Sequence, residues 1–213
     1  MDIKAVIFDM DGVLLDTETM CDTTWDMAAK EMNISDINKS INICRGYNKG
    51  DTIAKLKEIY GNDFDSEKFI NRTSELFGEI EVSKGIPVMY YAKEILQYLS
   101  GKYHISLASS TRGVTVKRQL KNAGLLSYFE TLITGDMVTH SKPDPEIYTL
   151  ACKSLGLKPN ECVAIEDSPN GIKSALGAGM NAIMVPDKIK PNDEMKKLCY
   201  KIYDNLEGLK EIL

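Results

Sequence analysis

The chain has 213 residues, of which 43% are hydrophobic and 27% charged, and its formal net charge at pH 7 is −5. These proportions are typical of a globular protein, and the negative charge argues against a general binder of nucleic acid or of anionic membranes, since both need a positive surface. The five cysteines form no C-x-x-C pair, and no apolar run approaches the roughly 18 residues of a transmembrane helix, so we expect a cytoplasmic protein with reduced thiols.

Five short apolar runs predict buried β-strands. They are continuous rather than alternating, which is typical of strands covered on both faces of a parallel sheet. From about residue 86 onward, the runs alternate with amphipathic helical patterns, and this alternation predicts a Rossmann-like, doubly wound α/β sheet. The runs lie near residues 4–8, 104–108, 131–134, 162–166 and 181–185.

The segment 18–83 interrupts this alternation. It contains no convincing strand but several amphipathic helices, one of which, in SEKFINRTSELFGE, has Ser66 as its predicted N-cap. An insertion directly after the first strand would stand over the carboxyl edge of the sheet, where folds of this kind bind ligands. We therefore predict an inserted α-helical cap domain at 18–83 and a Rossmann-like catalytic core formed by 1–17 and 84–213.

Acidic, basic and hydroxyl side chains follow four of the predicted strands at the point where each strand ends. Because the carboxyl ends of parallel strands meet at one edge of the sheet, we expect residues distant in sequence to become neighbours there. The residues are Asp9 and Asp11 after the first strand, Ser109 after the second, Lys142 in the loop after the third, and Glu166 with Asp167 after the fourth.

The charges at this edge predict a metal-dependent phosphoryl-transfer site. Four carboxylates would repel one another unless a cation lay among them, and Mg²⁺ prefers one or two carboxylates together with water and a phosphate oxygen. Lys142 adds a positive charge, and Ser109 adds a donor for an anion. Asp9 and Asp11 point the same way from an extended chain, so one can attack phosphorus while the other transfers protons.

The segments FDMDGVLLDTE, LASST, SKPDPEIY and IEDSPNGIKSALGAGM resemble the four signature motifs of the haloacid dehalogenase superfamily of phosphotransferases. More narrowly, they resemble its β-phosphoglucomutase-like branch, which carries a small helical cap, and the similarity covers nearly the whole chain. The resemblance implies that Asp9 is the nucleophile and a Mg²⁺ ligand. It implies that Asp11 is the general acid/base, with its backbone carbonyl on the metal. The true dehalogenases lack an acid at the position of Asp11, so we expect action on phosphate esters.

The resemblance also implies roles for the other motif residues and for parts of the insertion. Ser109 and Lys142 would hold the phosphoryl oxygens, and Asp167 would complete the metal site with help from Glu166. Positions in the core loop and in the insertion would meet the rest of the substrate. These further candidates for substrate binding are Ser110, Thr111 and Arg112 in the core and Arg45, Gly46 and Lys49 in the cap.

Three functions are compatible with these motifs to different degrees. We expect a Mg²⁺-dependent phosphatase that acts through an aspartyl-phosphate on a small phosphorylated metabolite, such as a sugar phosphate, with cap hinges near Thr17 and Gly85. A phosphohexomutase of the β-phosphoglucomutase type would use the same intermediate, but mutases of the resembled branch carry a histidine where this chain has Cys21. A non-enzymatic binding protein is disfavoured, since every catalytic acid and Lys142 are present. The size and fold are compatible with a monomer.

Overall fold

Six parallel strands form one sheet in this computed structural model, which describes residues 2–45 and 49–213. The strands are β1 Ala5–Phe8, β2 His104–Ser109, β3 Thr131–Thr134, β4 Cys162–Glu166, β5 Asn181–Met184 and β6 Lys201–Ile202. Their order in the sheet is β3-β2-β1-β4-β5-β6, and helices cover both faces, which confirms the predicted doubly wound α/β fold. Five strands coincide with the apolar runs, whereas no run predicts the sixth.

Helices either follow one another or alternate with strands, depending on the part of the chain. The consecutive helices are α1 Thr17–Glu31, α2 Ile37–Cys44, α3 Lys49–Tyr60 and α4 Ser66–Lys84. Those of the alternating part are α5 Ala92–Leu99, α6 Gly113–Asn122, α7 Glu146–Ser154, α8 Pro169–Gly177 and α9 Asp193–Leu198. Short 3₁₀ turns lie at Leu126–Tyr128, Gly135–Met137, Pro159–Glu161 and Leu206–Glu211. Among the residues that the structure describes, no helix is both long and apolar enough to cross a membrane.

The chain divides into two compact units. The sheet unit comprises Met1–Asp16 and Pro87–Leu213, and the helical unit comprises Thr17–Ile86. Within its described residues the helical unit contains α1 to α4 and no strand, as the sequence pattern predicts. That this unit acts as a cap, with hinges near Thr17 and Gly85, stays a prediction.

The sheet unit is organised around β1, whose four residues have no exposed surface. The register places Phe8 opposite Leu107 of β2 and opposite Ile165 of β4. The residues that come next on these three strands therefore emerge side by side at the carboxyl edge. Tyr148 of α7 and Ile172 of α8 belong to the same apolar cluster as Ile7 of β1 and Ala164 of β4, so these helices pack on one face of the sheet.

The helical unit has its own apolar core. Trp25 of α1 packs edge-on against Phe69 of α4, with ring centroids 5.3 Å apart and an interplanar angle of 89°. Helix α4 begins at Ser66, but its N-cap is Asp65, whose side chain accepts a hydrogen bond from the backbone N–H of Lys68. The Ser66 prediction is therefore wrong by one residue, because the aspartate before it caps equally well.

Candidate active site

Asp9 continues the hydrogen-bond pattern of β1 one residue beyond the strand. Its backbone N–H donates to Ile165 O at 2.9 Å, and its side chain is buried. The chain then turns through Gly12, where φ is +74°. A Cβ at Gly12 would lie 2.5 Å from Asp167 Oδ2, so only glycine allows the turn to approach that carboxylate so closely. The turn thus brings the two acidic motifs together.

Lys142 joins the ends of three strands through its ammonium group. Nζ donates to Asp9 Oδ1 at 2.5 Å, to Glu166 Oε1 at 2.7 Å and to Ala108 O at 2.9 Å. These acceptors account for all three hydrogens of the ammonium. The side chain is only 9% exposed, so its position is set by these partners and not by solvent. The loop after β3 therefore delivers a fixed positive charge to Asp9.

Glu166 is the most deeply buried acid of the site, with 1% of its surface exposed. Besides the bond from Lys142, Oε1 accepts a hydrogen bond from Tyr148 Oη at 2.7 Å, and Oε2 accepts one from Ser168 Oγ at 3.2 Å. A Cβ on Gly171 would lie 1.9 Å from the Glu166 carboxyl carbon, so the first turn of α8 packs directly on this group. Glu166 is thereby held in one orientation.

Sequence reasoning missed Tyr148 and Ser168 as members of this site. Tyr148 stands in the quoted motif SKPDPEIY, but its hydroxyl reaches Glu166 only because α7 packs on the sheet against β2 and β3. Ser168 had a usable signal, since a serine directly before Pro169 is a typical N-cap. It does cap α8, accepting a hydrogen bond from Gly171 N at 3.1 Å.

Burial and neighbouring charges shift the pKa values of Asp9, Lys142 and Tyr148. Burial raises the pKa of Asp9 to about 7; Lys142 opposes this rise, while the negative charges of Glu166 and Asp11 add to it. Burial acts to lower the pKa of Lys142, but Asp9 and Glu166 raise it above its ordinary value. Burial also raises the pKa of Tyr148 well above its ordinary value, so its hydroxyl stays a donor to Glu166. The positive charge of Lys142 alone is therefore not enough to keep the buried Asp9 carboxylate ionised at its ordinary pKa.

Asp11 is more exposed than Asp9 and is oriented by the loop after β2. Thr111 Oγ1 donates to Asp11 Oδ2 at 3.0 Å, and Ser109 Oγ lies 3.4 Å from the same oxygen. Ser109 is the fully buried last residue of β2, and its Oγ accepts a hydrogen bond from Thr111 N at 3.1 Å. Two hydroxyl groups therefore lie beside the second acid of the D-x-D pair.

Three carboxylates form a cluster that fits a hard divalent cation. One oxygen each from Asp9, Glu166 and Asp167 lies within 4.8 Å of the others, and all three side chains are at least nine-tenths buried. Lys142 compensates only part of their charge, in agreement with the raised pKa of Asp9. Mg²⁺ prefers carboxylate and other oxygen ligands, and these carboxylate oxygens lie close enough together to bind one ion. The residues present thus fit the metal that the sequence predicts.

The structure brings Asp9, Asp11, Ser109, Lys142, Glu166 and Asp167 to one edge of the sheet unit, and Thr111 joins them. The remaining core candidates Ser110 and Arg112 lie in the same loop and are exposed. Among the cap candidates, Gly46 lies outside the described residues. Lys49, at the start of α3, donates from Nζ to Asn71 Oδ1 at 3.0 Å.

Arg45, the last cap candidate, is engaged by acids of its own unit. Its guanidinium donates to Glu18 Oε2 at 2.8 Å and to both carboxylate oxygens of Asp22 at 2.9 and 3.0 Å. The Arg45 side chain is 13% exposed, whereas a third of each acid's surface is open. The sequence did not predict this arrangement: Glu18 ends the quoted segment FDMDGVLLDTE and Asp22 lies outside it, but no spacing along the chain indicates that either acid pairs with Arg45.

Comparison with known proteins gives one consistent result. The family model described as haloacid dehalogenase-like hydrolase matches residues 6–185. "Putative phosphatase YhcW" from Bacillus subtilis (strain 168) is 35% identical over 216 residues, covering 99% of this chain and 94% of that protein. "Phosphorylated carbohydrates phosphatase" from Thermotoga maritima is 31% identical over 190 residues, covering 85% of this chain and 84% of that protein.

Solved structures agree with the sequence relatives. A crystal structure described as a "putative beta-phosphoglucomutase" from Thermotoga maritima is similar with a TM-score of 0.81 at 27% identity, covering 99% of this chain and 100% of that one. The similarity therefore extends over both the sheet-forming and the helical parts of the sequence.

Proposed function

Since the chain belongs to the haloacid dehalogenase-like hydrolases and is a hydrolase of the phosphatase type, we propose that it is a Mg²⁺-dependent phosphatase of small sugar phosphates. The observation that carries the proposal is the bond from Lys142 Nζ to Asp9 Oδ1 beside the more exposed Asp11. A buried carboxylate held by an ammonium, with a second acid two residues away, suits a nucleophile and its proton donor.

Different residues of the sheet unit carry out nucleophilic attack, proton transfer and binding of the phosphoryl group. Asp9 attacks phosphorus and forms an aspartyl-phosphate, while the bond to the leaving group breaks and the alkoxide takes a proton from Asp11. Asp11 then removes a proton from the attacking water, which releases phosphate and restores Asp9. Ser109 holds a phosphoryl oxygen, and the ammonium of Lys142, which stays bonded to Asp9, Ala108 and Glu166, offsets the negative charge of the phosphoryl group. Thr111 keeps the carboxyl of Asp11 in position through its hydrogen bond.

Asp9, Asp167 and the backbone carbonyl of Asp11 would hold Mg²⁺, with Glu166 beside them. When bound, the ion supplies positive charge that offsets the charge of the phosphoryl group. The clustered oxygens and the raised pKa of Asp9 support this placement. Because the oxygens of Glu166 accept bonds from Lys142 and two hydroxyl groups, its main part is to orient Lys142.

The test is Mg²⁺-dependent release of phosphate from p-nitrophenyl phosphate. Asp9→Asn is expected to lower kcat by at least about 10³-fold, as the loss of a covalent nucleophile does elsewhere. The matched control is Asp193→Asn, which alters an exposed aspartate that is paired with Lys196 on α9. Wild-type activity in Asp9→Asn, or full activity in the presence of a chelator, would refute the proposal.

A phosphohexomutase remains the second candidate, because the similar structure from Thermotoga maritima is described as a beta-phosphoglucomutase. Both reactions share the aspartyl-phosphate and differ in whether water or a sugar hydroxyl accepts the phosphoryl group. Cys21 of α1 stands where the mutases of the resembled branch carry histidine, which favours hydrolysis. Incubation with β-glucose 1-phosphate and β-glucose 1,6-bisphosphate distinguishes the two: we expect free phosphate, and glucose 6-phosphate as main product would establish the mutase.

A further inference from the structure

A second group of metal-ligating side chains lies where the chain enters α7. It comprises His140, Asp144 and Glu146, each of which offers one ligand atom within 4.8 Å of the others. The group shares no residue with the buried carboxylate cluster of the candidate active site. It also differs from that cluster in containing an imidazole and in being open to solvent, since the side chains of His140 and Glu146 are 69% and 35% exposed.

Glu146, the first residue of α7, is held in place by backbone N–H groups. The N–H of Thr139 donates to both of its carboxylate oxygens, at 3.0 Å each, and the N–H of His140 donates to Oε2 at 2.8 Å. These hydrogen bonds lower the pKa of Glu146, so the carboxylate is ionised at neutral pH. Because a carboxylate has about four lone-pair sites, it can still accept a further partner.

The imidazole of His140 lies at the distance from Glu146 that a shared metal ion would impose. Its Nδ1 is 3.2 Å from Glu146 Oε2. Ligand atoms that bind one Zn²⁺ ion at about 2.0–2.2 Å are about 2.8–3.6 Å apart in an octahedral or tetrahedral arrangement. A neutral imidazole has one nitrogen with a free lone pair, and this can be Nδ1. A metal ion can therefore replace the proton in this contact while both atoms keep their positions.

Asp144 supplies the third ligand from a backbone that is anchored on α8. Its carbonyl oxygen accepts a hydrogen bond from Ser174 Oγ at 2.6 Å, and its Oδ1 accepts one from Glu146 N at 2.9 Å. The carboxylate lies within one side-chain rotation of the other two ligands. The three groups are thus held close together by contacts that an ion does not need to create.

The mixed ligand set favours a transition-metal ion over Mg²⁺. Imidazole suits Zn²⁺ and other first-row transition ions, whereas Mg²⁺ prefers oxygen ligands alone. Two carboxylates and one neutral imidazole carry a formal charge of −2, which matches the charge of a divalent ion. Three protein ligands leave a coordination position for water, as in other Zn²⁺ sites that are open to solvent.

We propose that His140, Asp144 and Glu146 form a second metal site, which binds a divalent transition-metal ion of the Zn²⁺ class. The inference goes beyond the proposed function, because none of these residues takes part in the reaction described above. Since His140 precedes Lys142 and the two acids follow it, the ion would restrain the loop on both sides of that lysine.

His104 provides a comparison within the same chain, because it is the other of the two histidines. Its Nδ1 lies 3.0 and 2.8 Å from the two carboxylate oxygens of Glu130, about as close to an acid as His140 is. Within the part of the chain that the structure describes, however, His104 belongs to no group of three potential ligands. An imidazole beside a single carboxylate binds an ion weakly, so His104 should not respond.

The test is a titration of the wild-type protein with ZnCl₂ in excess Mg²⁺, which competes for the buried carboxylate cluster. The imidazole resonances of the two histidines are followed by long-range ¹H–¹⁵N NMR, and calorimetry of the same titration gives the Kd. We expect one equivalent of Zn²⁺ to shift the resonances of His140 and to leave those of His104 unchanged. This readout does not depend on phosphatase turnover.

Variants then test the ligands one at a time. His140→Ala is expected to weaken Zn²⁺ binding at least about tenfold, because the loss of a group that only supports a ligand already costs about 10–100-fold in metal affinity. Asp144→Asn should weaken binding in the same direction and tests a carboxylate independently of the imidazole. His104→Ala is the matched control and should leave the Kd unchanged.

Four outcomes would overturn the inference. They are the absence of any Zn²⁺-induced shift at His140, equal shifts at His104 and His140, and a Zn²⁺ affinity that Asp144→Asn leaves unchanged. The fourth is equal Zn²⁺ affinity of His140→Ala and the wild-type protein, which would place the ion elsewhere, such as on a thiol.

Discussion

Replacing Lys142 by methionine removes the ammonium that bonds to both Asp9 and Glu166, while keeping an unbranched side chain of similar length. Both bonds are buried, at 2.5 and 2.7 Å, and their loss leaves two buried carboxylates facing one another. Breaking a buried ion pair by removing one partner costs about 3–5 kcal/mol. For a chain of this size, that loss lowers the Tm by roughly 6–20 °C.

The size of this effect depends on pH. The pKa of Asp9 is raised from 3.8 to about 7 in the folded, metal-free protein. Between these values the folded state binds more protons than the unfolded state, so Asp9 destabilises the fold increasingly as pH rises through this window. At pH 5, well below the folded-state pKa of about 7, the Asp9 carboxyl of the folded protein is neutral and needs no cation. The destabilisation by Lys142→Met should therefore be larger at pH 8 than at pH 5.

The assay is thermal and urea unfolding followed by circular dichroism, in chelator, at both pH values. Lys153→Met is the matched control, because this lysine of α7 is exposed and its replacement should change the free energy of unfolding by less than about 0.5 kcal/mol. Equal stability of the two variants, or a Lys142→Met effect that is larger at pH 5, would refute the assignment of Lys142 as the buried counter-charge of Asp9.

Three further substitutions test individual contacts of the site. Tyr148→Phe removes the hydrogen bond to the buried Glu166 and should cost about 1.5–3 kcal/mol of unfolding free energy in a urea titration. The control is Tyr90→Phe, which removes a hydroxyl from an exposed side chain and should cost almost nothing in the same titration. Gly12→Ala should lower kcat/KM at least about tenfold, because the new Cβ would collide with the Asp167 carboxylate. The control is Gly61→Ala, at a glycine that also has a positive φ but has open space around it. It should cost about 1–2 kcal/mol of unfolding free energy and leave kcat/KM unchanged. Thr111→Val removes the hydrogen bond to Asp11 and should lower kcat/KM about tenfold for alkyl phosphates. The loss should be far smaller for p-nitrophenyl phosphate, because its leaving group needs little protonation. Equal losses for both substrates would contradict a role of Thr111 in positioning Asp11 as the general acid.

The main architecture was predictable because its causes are local. Continuous apolar runs in alternation with helices allow few arrangements other than a parallel sheet, and the carboxyl ends of such strands meet at one edge. The order of the motifs along the chain was therefore enough to expect Asp9, Ser109 and Glu166 near one another. The strand Lys201–Ile202 could not be expected, since two residues without an apolar run carry no periodic signal.

The contacts that orient the site depend on packing between distant elements. Tyr148 reaches Glu166 only because α7 lies against the sheet, and no spacing along the chain encodes that distance. The pairing of Arg45 with Glu18 and Asp22 joins the end of α2 to α1 across more than 20 residues. Sequence reasoning could propose Arg45 as a substrate ligand but had no means of finding that acids already engage it.

The central claim is that Asp9 carries the phosphoryl group during turnover. Asp11→Asn should still allow attack on p-nitrophenyl phosphate, whose leaving group needs little protonation, but it removes the base that activates water. Acid quenching followed by mass spectrometry of the peptides should then find one phosphoryl group on the peptide that contains Asp9, and none when Asp9→Asn is added. Phosphate on another residue, or turnover without any phosphorylated peptide in Asp11→Asn, would contradict the account.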